Sequence, residues 1–268
     1  MMKDILQEIV DHKKVEVKRF KEALPESDIH LRVEQDMALT PEKRPSMSRA
    51  IMDSDSGIIA EFKRKSPSAG WINRDAKVEE VTNAYQHNGA SALSILTDSD
   101  FFGGSDKFVS EAIASGVTLP VLYKNFIVDE YQLFQARLCG ASAVLLIASV
   151  LTLADCRSLV RTAHDLGLEV LLEMHAAREL EYADCDPDMF GVNNRNLGTF
   201  VTDVANSFRF AADLPAGACL VSESGLSDPS VVSLLREAGY RGFLIGGHFM
   251  KSADPGKALG EFISKIKK

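Results

Sequence analysis

One pattern restricts the fold of this chain more than any other. From residue 57 to the C-terminus, a short apolar, β-branched run is followed by a loop and then by an amphipathic stretch rich in Ala, Leu, Glu and Lys. The unit recurs eight times, with predicted strands at 57–64, 91–97, 120–126, 143–148, 169–174, 189–194, 219–224 and 242–246. Helices are expected at 77–87, 106–114, 129–138, 153–166, 229–238 and 257–266. Strands alternating with helices build a parallel sheet. Eight such units in about 210 residues close most economically into an α/β fold of one kind, a single (β/α)8 TIM barrel. An open doubly wound sheet would carry a Gly-rich turn after its first strand. The turn here is Lys65-Ser66-Pro67-Ser68-Ala69-Gly70, which is neither a dinucleotide fingerprint nor a P-loop.

The first 56 residues stand outside this rhythm. Ile5, Leu6, Ile9, Val10, Val17 and Phe20 fall on one helical face, with charges on the other. Pro41 and Pro45 interrupt the chain after this helix, and Met47, Ala50, Ile51 and Met52 predict a short helix leading into the first strand. The expected organisation is one domain: a barrel over 57–268 and an N-terminal helical extension, 1–56, packed over one end of it.

Charge and cysteine content narrow the functional classes. The 268 residues hold 30 Lys and Arg against 38 Asp and Glu, a formal net charge of −8. That balance argues against nucleic-acid or membrane partners, which need a basic face, but leaves room for a local basic pocket. Cys139, Cys156, Cys185 and Cys219 form no C-x-x-C pair and read as small buried hydrophobes of a reducing compartment. The charged first twenty residues do not read as a signal peptide, and the most apolar stretch, 141–154, is too short to span a bilayer. A cytoplasmic protein is expected. His12, His30, His87, His164 and His175 form no metal-spaced pair.

In a barrel of this kind the inward side chains alternate along each strand, and function sits at the C-terminal ends of the strands. Five predicted strands finish in ionisable or amide groups. They contribute Glu61 and Lys63, Lys124, Glu173, Asn193 and Arg195, and Glu223 and Ser224. Three carboxylates and three cations would then ring one mouth, a cluster suited to acid–base chemistry. Gly225 follows the seventh strand, and Gly246 and Gly247 follow the eighth, where backbone N–H groups commonly cradle a phosphate. His248 stands beside them as a rim residue or a bystander.

Several segments together resemble the indole-3-glycerol-phosphate synthase family of tryptophan biosynthesis. They are Ile58-Ile-Ala-Glu-Phe-Lys-Arg-Lys-Ser66-Pro-Ser68, Leu96-Thr-Asp98 with Phe101-Phe102-Gly-Gly104, and Lys124 followed by Phe126-Ile127-Val128. Leu171-Leu-Glu-Met174, Val192-Asn-Asn-Arg-Asn-Leu197 and Ser222-Glu-Ser-Gly225 complete the set, which covers almost the whole chain in order. The resemblance implies a carboxy-lyase that closes the indole ring of 1-(2-carboxyphenylamino)-1-deoxyribulose 5-phosphate without metal or organic cofactor. By resemblance Lys124 is the general acid, Glu173 the general base, Lys63 the partner of the substrate carboxylate, and Glu61 the group that positions the lysines. Asn193, Arg195, Glu223, Ser224 and Ser66 match substrate-positioning residues, Phe102 a wall of the anthranilate pocket, and Gly225, Gly246 and Gly247 the phosphate cradle. The expected partner is a small phosphorylated substrate, and the expected state a monomer with weak self-association at most. The chain departs from the family at Asn125, where Asp is usual, and at Gly247-His248. If an Asp at 125 tuned the lysine, Asn125 would alter the pH optimum. A phosphoribosylanthranilate isomerase would need a Cys early in strand one, and none is there. A phosphate binder without chemistry would not need both Lys124 and Glu173.

Overall fold

The computed structural model describes residues 5–39, 44–196 and 201–267; Pro41 and Leu197 lie outside the described residues. Eight parallel strands close a barrel: β1 (Ile58–Phe62), β2 (Ala92–Leu96), β3 (Val121–Lys124), β4 (Ala143–Ile147), β5 (Glu169–Met174), β6 (Met189–Asn193), β7 (Cys219–Glu223) and β8 (Gly242–Ile245). Each strand pairs with its sequence neighbours, and β1 joins β8 through the register Ile58–Phe243, Ile59–Leu244 and Ala60–Ile245. The predicted barrel is therefore present.

The strands are apolar along their length because both of their faces are covered. Ile58, Ala60, Phe62, Leu93, Ile95, Val144 and Leu146 point outward into the helical shell. Ile59, Ala92, Leu122, Leu145, Leu171, Met189, Val221 and Leu244 fill the interior. The period of two then carries the inward face upward to Glu61, Lys124, Glu173, Asn193 and Glu223. The polar mouth is thus the next layer above a closed apolar plug.

The shell includes α4 (Val78–His87), α5 (Lys107–Ala114), α6 (Tyr131–Cys139), α7 (Leu153–Asp165), α9 (Pro229–Glu237) and α11 (Pro255–Ile263), at or near their predicted positions. The sequence did not announce α8 (Ala205–Phe210), a 3₁₀ helix at Ala177–Cys185 or a one-turn α10 (Gly247–Met250). The predicted first strand also ends early. The Arg64 carbonyl accepts the N–H groups of Ile72 at 2.8 Å and Asn73 at 3.1 Å, so the chain turns into a short antiparallel pair, Lys65–Ser66 with Gly70–Trp71. That fold-back sets Lys63 just beyond the strand.

The N-terminal segment contains α1 (Ile5–Ala23), α2 (Glu26–Leu39) and α3 (Met47–Met52). The apolar face of α1 buries Ile9, Val10 and Val17, while Phe20 is left half exposed. The sequence pattern does not reveal α2. Pro25 halts α1, and the chain restarts as a helix with Glu26 and Asp28 in its first turn, where acids favour an N-terminus. The segment reaches both ends of the barrel rather than one. At the closed end, Met47 and Ile51 of α3 enter the interior cluster. There the Glu169 carboxylate accepts the N–H groups of Met47 at 2.7 Å and Ser48 at 2.8 Å. At the open end, Ile5, Leu6 and Ile9 of α1 line the cavity.

A buried ion pair fastens α1 to that open end. Lys13 Nζ lies 2.8 Å from Asp98 Oδ2, with both side chains at 2% exposure or less, and Glu16 completes the cluster. Asp98 in turn accepts the N–H groups of Phe101 at 2.8 Å and Phe102 at 3.3 Å. No helix among the described residues is long and apolar enough to cross a membrane.

Candidate active site

A cavity of about 720 Å³ opens at the C-terminal mouth of the barrel. Every candidate residue of the sequence lines it: Glu61, Lys63, Ser66, Phe102, Lys124, Glu173, Asn193, Arg195, Glu223, Ser224, Gly225, Gly246 and Gly247. They arrive from β1, β3, β5, β6 and β7 and from the loops behind these and behind β2 and β8, and the alternation of inward positions brings the strand residues together.

Lys124 is the centre of the charged layer. Its ammonium lies 2.6 Å from Glu223 Oε2 and 3.2 Å from Glu173 Oε2. The Asn193 amide donates to Glu173 Oε1 at 3.1 Å. Lys63 pairs with Glu61 on the neighbouring wall. Glu61, Glu173 and Glu223 are all buried, so each carboxylate needs a partner to remain charged.

The electrostatics follow from this crowding. The sequence leaves open whether neighbouring cations or carboxylates dominate around Lys124. Burial alone would push its ammonium down, but Glu223, Glu173 and Glu61 outweigh that and hold it above the ordinary lysine range. Burial would raise Glu173, yet Lys124, His175 and Asn193 keep it well below the usual carboxylate range. Glu223 goes the other way: burial pushes it up, Glu173 adds to the push, and Lys124 offsets only part of it. The two acids are therefore unlike, one held ionised and one inclined to keep a proton. That is an acid–base arrangement ready for proton transfer.

The remaining candidates form the walls. Phe102 faces Phe126, with ring centroids 5.8 Å apart and planes inclined by 35°, and the two form an apolar wall. Arg195 reaches Thr202 Oγ1 at 3.4 Å and Ser68 Oγ at 3.4 Å, bridging two loops across the rim. Ser66 accepts the N–H of Ala69 at 3.2 Å within its turn. Ser224 and Gly225 have φ values of 68° and 79°. Left-handed backbone at a serine is uncommon and concentrates at functional sites. At Gly225 a Cβ would also meet Thr202 Cγ2 at 2.5 Å, so only glycine fits.

The hydrogen bonds of the Asn125 side chain go to residues other than Lys124. Its amide donates to Thr97 Oγ1 at 2.8 Å and the Tyr123 hydroxyl at 3.2 Å, and its oxygen accepts the Phe126 N–H at 2.9 Å. His248 lines the cavity and packs edge-on against Phe249 and Phe262, at 5.4 Å and 5.5 Å.

Three groups at this mouth escape sequence reasoning. Periodicity assigns Ile5, Leu6 and Ile9 only a packing face. Lys13 and Asp98 are too far apart in sequence to be paired by pattern. His175, two residues after Glu173, belongs to no metal-spaced pair and carries no other signal in the sequence; its Nε2 lies 3.2 Å from Glu173 Oε1.

The chain is similar to known proteins over almost its whole length. A family model described as indole-3-glycerol phosphate synthase matches residues 6–262. An indole-3-glycerol phosphate synthase of Bacteroides thetaiotaomicron is 55% identical over 265 residues, covering 99% of this chain and 100% of the relative. The enzyme of that name from Magnetococcus marinus is 41% identical, covering 98% of each. Among solved structures, a mutant tryptophan synthase α-subunit from Pyrococcus furiosus superposes with a TM-score of 0.59 at 12% identity. It covers 80% of this chain and 98% of that one, and shows the shared barrel fold alone.

Proposed function

The chain belongs to the indole-3-glycerol phosphate synthase family, and from that membership we propose that it closes the indole ring of 1-(2-carboxyphenylamino)-1-deoxy-D-ribulose 5-phosphate in tryptophan biosynthesis, releasing CO2 and water as a carboxy-lyase. The observation that carries the reading is the Lys124 ammonium, held between the buried carboxylates of Glu173 and Glu223 in the cavity.

In this proposal Lys124 gives a proton to the ribulose carbonyl oxygen as the aromatic carbon attacks. A positioned ammonium lowers the barrier where negative charge develops on oxygen. Lys63, held by Glu61, receives the substrate carboxylate, whose loss as CO2 restores the aromatic ring. Glu173 then takes a proton from carbon while the hydroxyl leaves as water with a proton from a lysine. Asn193, Arg195, Glu223, Ser224 and Ser66 orient the sugar chain, and Phe102 packs on the anthranilate ring. The N–H groups at Gly225, Gly246 and Gly247 hold the phosphate.

We further propose that the barrel over 57–268 and the extension over 1–56 act as one domain, that the protein works as a cytoplasmic monomer with at most weak self-association, and that it has no nucleic-acid or membrane partner. The test is turnover of the carboxyphenylamino-ribulose phosphate by purified, EDTA-treated protein, followed as indole fluorescence. Lys124→Ala should abolish turnover while a substrate analogue still binds. No turnover by the wild-type protein would refute the activity, and near-native turnover by Lys124→Ala would refute the role of Lys124.

A further inference from the structure

Glu173 and Glu223 share one ammonium inside the buried wall of the cavity. Two carboxylates so placed resist ionising together, and something must decide which of them holds the negative charge. Their surroundings differ. Glu173 has Lys124 on Oε2, and on Oε1 it has the Asn193 amide at 3.1 Å and His175 Nε2 at 3.2 Å. Glu223 has Lys124 on Oε2, while its Oε1 receives no hydrogen-bond donor among the described residues.

We propose that His175 is the positioning residue that selects Glu173 as the base of the reaction, leaving Glu223 as the partner that keeps a proton. This rests on the ring-closing activity proposed above. His175 is built into its place from several sides. The Glu179 carboxylate on the 3₁₀ helix accepts the His175 N–H at 2.6 Å and the Ala176 N–H at 3.3 Å, and Asn206 on α8 donates to the His175 carbonyl at 3.3 Å.

The charges facing the ring are mostly acidic. Glu173 lies on its own strand, Glu179 Oε2 lies 4.0 Å from Nδ1, and Glu223 approaches from β7. Lys124 on β3 stands behind Glu173, and Arg178 stands beyond Glu179. Burial alone would push the imidazole toward its neutral form, but contact with Glu173, helped by Glu179 and Glu223, holds it above the ordinary histidine range. An imidazolium on Oε1 favours the carboxylate form of Glu173, and Glu223 has no equivalent neighbour. The same contact points the other oxygen of Glu173 toward Lys124 and the cavity.

The experiment compares wild type, His175→Leu and His175→Gln as full-length enzymes across pH. With the opposite charge removed, the acid limb of kcat in His175→Leu should move to higher pH by about one unit. Its kcat should fall by about 10²-fold with KM nearly unchanged. Gln restores a donor, so it should recover most of kcat while the acid limb stays displaced. An acid limb unmoved in a folded His175→Leu protein, or a loss confined to KM, would overturn the proposal. A second readout does not depend on turnover. In ¹⁵N-histidine spectra, His175 should titrate above free histidine in the wild type and at lower pH in Glu173→Gln. An unchanged midpoint in Glu173→Gln would also overturn it. Because the spectra need no activity, they separate failure of this proposal from failure of the assigned reaction.

Discussion

Gly246 and Gly247 are adjacent at the end of β8, and a methyl group at each would meet opposite surroundings. A Cβ on Gly246 would lie 2.3 Å from Glu61 Oε1, 2.8 Å from Glu61 Cβ and 2.9 Å from Glu61 Cδ. A Cβ on Gly247 would have no heavy atom within 4 Å. Both residues keep their backbone N–H when changed to Ala, so a phosphate cradle made of N–H donors survives in either variant. At Gly246, however, the clash reaches the Cβ of Glu61, which cannot rotate away, and β1 or β8 has to shift. Overpacking of this kind costs about 1–3 kcal/mol, which for a chain of this size lowers Tm by about 2–10 °C. Glu61 carries Lys63, and a displacement near 1 Å in a catalytic group costs about 10²-fold in kcat/KM. Gly247 begins the short α10 helix, where Ala is favoured over Gly by about 0.5–1 kcal/mol. The two substitutions should therefore move Tm in opposite directions, and Gly246→Ala should lose the more activity. Thermal unfolding and steady-state kinetics on both variants decide it. Equal loss of activity at both positions would assign the effect to the glycine cradle rather than to Glu61. A silent Gly246→Ala would refute the packing argument itself.

Two further predictions concern contacts distant in sequence. Lys13→Met strands Asp98 as a buried unpaired acid and should cost about 3–5 kcal/mol, read as a lower denaturant midpoint. The double variant with Asp98→Asn should recover part of it, and single losses that simply add in the double variant would show that the pair is not coupled. Asn125→Asp removes the donors to Thr97 and Tyr123 and should cost about 1–3 kcal/mol. It should leave the pH optimum unchanged, and a displaced optimum would restore the link between position 125 and Lys124.

The barrel is legible in the sequence because its strands announce themselves twice. Each is buried on two faces, which yields an unbroken apolar run, and several end at the mouth in a polar residue two positions beyond the last inward apolar one. Leu122 to Lys124, Leu171 to Glu173 and Val221 to Glu223 repeat the same step. That step is why the candidates converge on one cavity. The hidden features depend on contacts between residues with no fixed spacing. Nothing local couples Lys13 to Asp98, and α2 carries only a weak apolar stripe, with Ile29 and Val33 its buried residues. His175 shares the period of Glu173, but its role depends on which acid it approaches.

Net charge illustrates the same limit. At −8 the chain looks unsuited to an anionic ligand, and even the mouth is balanced on paper, with Glu61, Glu173 and Glu223 against Lys63, Lys124 and Arg195. The balance breaks once distances enter. Burial and the nearby Glu173 incline Glu223 to keep its proton, while His175, packed among acids, inclines to take one up. Both shifts act in the direction of a more positive mouth, although no basic residue has been added. A substrate carrying both carboxylate and phosphate then meets a mouth less negative than the composition of this acidic protein suggests. The difference arises from burial and neighbour geometry, so composition could not have revealed it.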